Sequence, residues 1–249
     1  MRSERRLFLA DGPKAVEGAL GVPGCVVEVF ATPDATQQYG ALVAAAPAWT
    51  LVEERALASL SDAVNPAGVV ALCRFFDRPV QHVLDPDRDP ERGEGGVRLV
   101  AICADVRDPG NAGTVIRTAD AAGADAVVLA GSSVDLYNPK TLRASVGSAF
   151  HLPVAVEADV PAAIAAARDA GLSVLAADAA GATDLHAAGD LLTRPTAWLF
   201  GNEAWGLPAE IAALADHRVR IPIRGRAESL NLSTAAALCL YESARHHTP

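Results

Sequence analysis

The chain has 249 residues, 51% of them apolar, and 30 acidic against 21 basic side chains give a net charge of −9. That is enough apolar material for one large α/β core, or for a small domain beside a larger one. It excludes a general nucleic-acid coat, which needs clustered cations, and no apolar run approaches the roughly 20 residues of a membrane span.

The apolar stretch near the N-terminus is too short for a signal sequence, so a cytoplasmic protein is expected. Cys25, Cys73, Cys103 and Cys239 form no CxxC pair. Neither a metal site nor a disulfide framework is therefore expected. Cys103 and Cys239 lie in apolar runs and read as buried thiols.

Residues 1–84 read as a small α/β unit. Helices are expected at 15–20, 39–46 and 57–62, and strands at 25–30 and at the β-branched run 69–73. Residues 85–97 follow, with prolines, glycines and mostly charged side chains. They cannot bury a core and read as a linker, leaving 98–249 as the larger domain. Strands are expected there at 98–104, 126–130, 173–177, 197–200 and 218–223, and helices at 112–122, 161–170, 208–215 and 232–244. Apolar strands alternating with helices predict a mostly parallel sheet covered on both faces. Ligands of such sheets bind beyond the carboxyl ends of the strands.

Three blocks occupy those strand ends. Asp108-Pro-Gly-Asn111 forms a turn in which Asn111 is an expected N-cap. Arg117 follows Gly113 by one turn on the same helix face. A glycine there would let a ligand approach beside the guanidinium, whereas the plainer alternative pairs Arg117 with Asp120 on the surface. Gly201-Asn202-Glu203 closes an apolar strand, and its glycine permits a close backbone approach to a ligand. Glu203 is open to three roles: general base, acceptor orienting Arg117, or helix-entry carboxylate. Trp205 either stacks or packs.

In the third block, Ser229, Asn231 and Ser233 stand at the mouth of an alanine-rich helix, where one of them must cap. Upstream, His217, Arg218, Arg220, Arg224 and Arg226 make a basic cluster, or else a charge-protected strand edge. Lys140 and Arg143, three residues apart, suit phosphate contact or simple solvation. No GxGxxG follows the first strand of the larger unit, and no GxxxxGK[ST] occurs. A nucleotide-binding dehydrogenase loses its usual anchor.

In this order, Asn111 to Ala119, Phe200 to Pro208 and Ile221 to Thr234 resemble the signature motifs of the SpoU (TrmH-like) RNA 2′-O-ribose methyltransferases, of the SPOUT superfamily. The resemblance implies an α/β domain with a parallel sheet and a deep C-terminal trefoil knot within residues 200–244, working as a homodimer on RNA with S-adenosylmethionine and without metal. It implies a catalytic group of Arg117, Asn111, Glu203, Ser229 and Asn231. It implies cofactor contacts, largely through the backbone, at Leu199, Gly201, Ile221, Leu230, Asn231 and Ser233. RNA contacts are expected at Lys140, Arg143, Arg224 and Arg226. Residues 1–84 more loosely resemble the ribosomal-protein-like substrate domain of several members, which points to large-subunit ribosomal RNA rather than transfer RNA. The alternatives are a transfer-RNA 2′-O-methyltransferase, a non-catalytic RNA-binding or ribosome-assembly module, and a dinucleotide-dependent oxidoreductase.

Overall fold

A computed structural model describes residues 2–61, 63–85 and 96–247. The strands are β1 (Leu7–Asp11), β2 (Val26–Ala31), β3 (Trp49–Leu51), β4 (Val69–Arg74), β5 (Leu99–Ala104), β6 (Ala126–Ala130), β7 (Val154–Glu157), β8 (Ser173–Ala177), β9 (Thr183–Asp184), β10 (Thr196–Phe200) and β11 (His217–Arg220). The longer helices are α1 (Pro13–Gly21), α2 (Glu54–Leu60), α3 (Pro109–Ala121), α4 (Pro139–Ser145), α5 (Val160–Asp169) and α6 (Leu232–His247).

Two sheets result. The first has the order β1-β4-β2-β3, with β4 antiparallel to both neighbours and β2 parallel to β3. The second, β7-β6-β5-β10-β8-β11-β9, is parallel throughout. Its central strands are buried on both faces, as crossover helices require. On β5, Leu99, Ala101 and Cys103 face one core, while Val100, Ile102 and Ala104 face the other. On β10, Trp198 and Phe200 divide from Ala197 and Leu199 in the same way. Helix α6 packs on β5, β10 and α3, and the fully buried Trp198 indole donates to Ser243 Oγ at 2.8 Å.

One core runs continuously from the first sheet into the second, joining Phe8 and Val29 to Leu99, Cys103 and Trp198. At the junction the Phe75 and Tyr137 rings stack with centroids 3.7 Å apart. The Tyr137 hydroxyl accepts from the Phe76 and Asp77 amides and donates to Asp77 Oδ1 at 2.6 Å. Burial, then that hydrogen bond to Asp77, pushes its pKa up. The two sheets are thus joined by packed aromatic rings as well as by residues 85–97, most of which lie outside the described residues.

Several boundaries differ from expectation. Strands β1, β3, β7 and β9 were not expected; each is short or lies beside a turn. The strand predicted at 218–223 stops at Arg220, and the helix predicted at 208–215 shrinks to Ala209–Ala212. Helix α3 begins at Pro109 rather than 112, because proline fits the first helical turn and Asp108 caps it, accepting from the Asn111 amide at 2.8 Å. Asn111 is therefore inside the helix rather than its cap, which frees its side chain.

Candidate functional site

The carboxyl ends of β5 and β10 lie side by side, and the loops leaving them meet the start of α6. After β10, Gly201 to Gly206 closes into a tight loop in which Asn202 and Gly206 exchange backbone hydrogen bonds of 2.9 Å. A Cβ on Gly201 would stand 2.4 Å from the Gly206 carbonyl carbon. This glycine thus serves the chain's own turn, although it also lines the adjoining hollow. Buried Asn202 ties the loop to β5 by donating to the Asp105 carbonyl at 2.7 Å. Asp105 has a φ of 56°, a sparsely populated conformation for a non-glycine residue, and such strain tends to gather at functional sites. Neither residue stood out in the sequence; the Asn-x-x-x-Gly turn spacing was the available signal.

This loop turns Glu203, which stays exposed, toward the first block. Its carboxylate accepts from the Arg107 amide (3.1 Å), the Asp108 amide (3.1 Å) and Asn111 Nδ2 (3.2 Å). Asn111 Oδ1 in turn accepts from Asn231 Nδ2 at 3.0 Å. The Oδ1 of Asn231 caps α6, accepting from the Ser233 amide at 2.9 Å and the Ser233 hydroxyl at 2.6 Å. One chain of hydrogen bonds thus joins all three blocks. Of the possible caps it is Asn231, not Ser229 or Ser233, that performs the task.

Beside this chain is a hollow of about 270 Å³ between the ends of β8, β10 and β11 and the start of α6, walled by Phe200, Gly201, Ile221, Ile223 and Leu230, among others. Ile223 and Leu230 leave 37% of their surface exposed there. Of the expected cofactor contacts, Gly201, Ile221 and Leu230 line it, as does Ser229; Leu199, Asn231 and Ser233 do not. Leu199 is displaced because its side chain faces the opposite core and its backbone is held between β5 and β8, so Phe200 occupies the wall instead. Two carboxylates that the sequence did not single out, Asp178 and Glu228, also line the hollow. An apolar cleft with glycine, backbone groups and a few polar side chains suits a nucleoside-bearing ligand.

The cations divide into two sets. Lys140 pairs with Asp108 at 3.5 Å and Arg143 with Asp11 at 3.8 Å. Arg218 pairs with Asp178 at 2.6 Å, and Arg220 with Asp184 at 3.9 Å. By contrast, Arg107, Arg117, Arg224 and Arg226 are exposed and have no side-chain partner among the described residues. Arg117 does not pair with Asp120, because His151 Nδ1 holds that carboxylate at 3.1 Å. Gly113 does not admit a ligand either. A Cβ there would lie 2.4 Å from the Thr141 carbonyl oxygen, so its role is to let α4 press against α3. Trp205 is 61% exposed. Among the described residues no group of His, Cys, Asp or Glu side chains is placed to hold a metal ion.

Residues 98–241 match the sequence model of the SpoU rRNA Methylase family. The chain belongs to that family. It is 34% identical over 244 residues to the 23S rRNA (guanosine(2553)-2′-O)-methyltransferase RlmP of Bacillus subtilis, covering 96% of this chain and 89% of that one. An AdoMet-bound rRNA methyltransferase from Sinorhizobium meliloti superposes with a TM-score of 0.82 at 33% identity, covering 100% of this chain and 90% of the other. The SpoU methyltransferase AviRb of Streptomyces viridochromogenes, in complex with AdoMet, gives 0.79 at 29% identity, covering 98% and 92%.

Proposed function

We propose that this protein is an S-adenosylmethionine-dependent RNA methyltransferase that methylates a ribose 2′-hydroxyl in large-subunit ribosomal RNA. The hydrogen-bonded chain Glu203–Asn111–Asn231 carries the reading, because it brings three distant segments together beside the hollow, with Arg117 on the same helix as Asn111 and without a side-chain partner among the described residues. The relatives' activity and the AdoMet-bound neighbours support it.

The hollow fits the cofactor. Gly201, Ile221 and Leu230, with Phe200 beside them, would hold its adenosine part between apolar walls and backbone groups. What the cofactor supplies when bound is a methyl group activated on a sulfonium. The chain's own residues position the acceptor. Glu203 fixes Asn111, Asn111 fixes Asn231, and Ser229 offers a hydroxyl at the wall of the hollow. Arg117 holds a phosphate beside the target ribose and stabilises negative charge on the 2′-oxygen as its proton leaves. A guanidinium is a fork of hydrogen-bond donors with no acceptor, which favours this role over that of a base. Alignment of this kind contributes several kcal/mol by itself.

Arg107, Arg117, Arg224 and Arg226 supply the local positive charge that an acidic chain needs to meet RNA, with Lys140, which reaches Asp108, and Arg143 as further cations. Residues 1–84 act as an RNA-holding domain, 85–97 as the connection and 98–249 as the methyltransferase domain. The last segment, 200–244, passes through a loop as a trefoil knot, a rare topology. It leaves β11 near one edge of the sheet and returns to pack on β5 and β10 at its centre. Two copies associate through α6, where Leu238 and Tyr241 leave 44% and 52% of their surface exposed. No helix among the described residues is long and apolar enough to cross a membrane, in keeping with work in the cytoplasm.

The test is transfer of labelled methyl groups from S-adenosylmethionine to ribosomal and transfer RNA, with the modified nucleotide mapped. Arg117→Ala should lower transfer at least about 100-fold and leave cofactor affinity by calorimetry unchanged. Full activity in that variant would remove Arg117 from the mechanism. Methylation of transfer RNA alone would change the substrate.

A further inference from the structure

The carboxylates at the hollow are not equivalent. Asp178 is neutralised by Arg218 at 2.6 Å, and its other oxygen accepts from the Ala180 amide at 2.8 Å. Glu203 is committed to three donors on the first block. Glu228 lines the same hollow and has neither a hydrogen bond nor a cation within ion-pairing distance among the described residues. It shares the wall of the hollow with the apolar Ile221, Ile223 and Leu230 and the neutral Ser229, as well as with Asp178 and Glu203. It is therefore a negative charge without an ion pair on the wall of the cleft, and the nearby Arg224 and Arg226, though close along the chain, do not come within ion-pairing distance of it. The strand-end arginines do not cancel it, since Arg218 and Arg220 are bound to Asp178 and Asp184.

The ligands differ in the matching respect. The methyl donor carries a sulfonium, an ammonium and a carboxylate, a net charge of +1. The demethylated product has a neutral thioether in place of the sulfonium and is zwitterionic. Shape and hydrogen-bonding groups are otherwise nearly shared, so apolar walls and backbone contacts cannot separate the two. A fixed charge can, because Coulomb attraction acts on the one unit that transfer removes.

Resting on the cofactor reading above, we infer that Glu228 is the specificity residue by which this hollow holds the cationic donor more tightly than the neutral product. The residue acts through charge rather than by a shared polar contact. Its solvent exposure limits the effect to a modest factor. The consequence is a site that releases spent cofactor more readily than it releases the donor.

The experiment is calorimetric titration of the full chain and of Glu228→Gln with S-adenosylmethionine, S-adenosylhomocysteine and sinefungin, an analogue that keeps a positive charge in place of the sulfonium. The substitution should weaken the donor and sinefungin about three- to tenfold and leave the product within about twofold. Equal weakening of all three would make Glu228 a contact to a shared group and overturn the inference, as would no change in any. A second measurement on the unaltered protein does not depend on the variant folding. The donor-to-product affinity ratio should fall as salt rises from roughly 0.05 to 0.5 M, where screening shortens. A ratio indifferent to salt also overturns the inference. Failure of the unaltered protein to bind any of the three would instead refute the cofactor reading itself.

Discussion

The side-chain amide of Asn231 donates to Asn111 Oδ1 at 3.0 Å across 120 residues of sequence, while its own oxygen caps α6. One side chain thus stabilises a helix and sets the position of a neighbour in the site, and the two duties are separable. Asn231→Asp keeps a capping oxygen but loses the donated hydrogen bond. It should lower methyl transfer at least tenfold with a melting temperature within about 2 °C of the parent. Asn231→Ala loses both, and should cost about 1 kcal/mol of stability besides. Equal activity in the Asp variant would show that the link to Asn111 has no catalytic consequence.

Gly113 lets α3 and α4 approach until a Cβ at that position would be 2.4 Å from the Thr141 carbonyl oxygen and 2.6 Å from Ala144 Cβ. Both are main-chain or stubby groups with little freedom to yield. Gly113→Ala should therefore destabilise the fold by about 1–3 kcal/mol, as overpacking does, despite alanine's better helix propensity. Urea unfolding measures it. A neutral or stabilising result would mean that α4 is free to move away.

Trp198 and Ser243 are both fully buried, and the indole N–H donates to the serine hydroxyl at 2.8 Å. Ser243→Ala strands that donor in an apolar core and should cost about 1–3 kcal/mol. In Trp198→Phe the donor is already gone, so the same serine substitution should cost less. A double-mutant cycle should return a coupling of about 0.5–3 kcal/mol. A coupling near zero would place water, or another acceptor, at the indole.

Burial alone would raise the pKa of Asp216, but hydrogen bonds from Arg168 and the Val174 amide outweigh it and hold the carboxyl below its ordinary 3.8. Arg168 also reaches the Leu214 carbonyl, so the pair ties α5 to the segment entering β11. With the folded value depressed, the stabilising contribution is complete above the unfolded value. It is lost as pH falls through the folded one. Asp216→Asn should therefore be less stable than the parent at neutral pH, with the gap closing as pH falls below the ordinary carboxyl value. A gap that persists in acid would assign the effect to packing.

Long, regular elements were legible in the sequence. Residues 126–130 and 173–177 are strands at the expected bounds, since an apolar β-branched run between turn residues has few alternatives. Short edge strands such as β9 were not, because two residues carry no period. The three blocks were recognisable as motifs, yet the duties within them were misassigned. Asp108 rather than Asn111 caps α3, and Gly113 faces α4 rather than a ligand.

Local chemistry along the chain decided which segments become helix or strand and which side chains were available for a reaction. Those choices depend on neighbours within a turn or a pleat. Tertiary structure alone decided that Glu203, Asn111 and Asn231 touch, that Phe75 and Tyr137 weld the two sheets together, and that Glu228 has no ion pair among the described residues. Partners 60 to 120 residues apart leave no trace in periodicity or spacing. They meet only because burying both faces of one parallel sheet brings its strand ends, and the loops they carry, to the same edge.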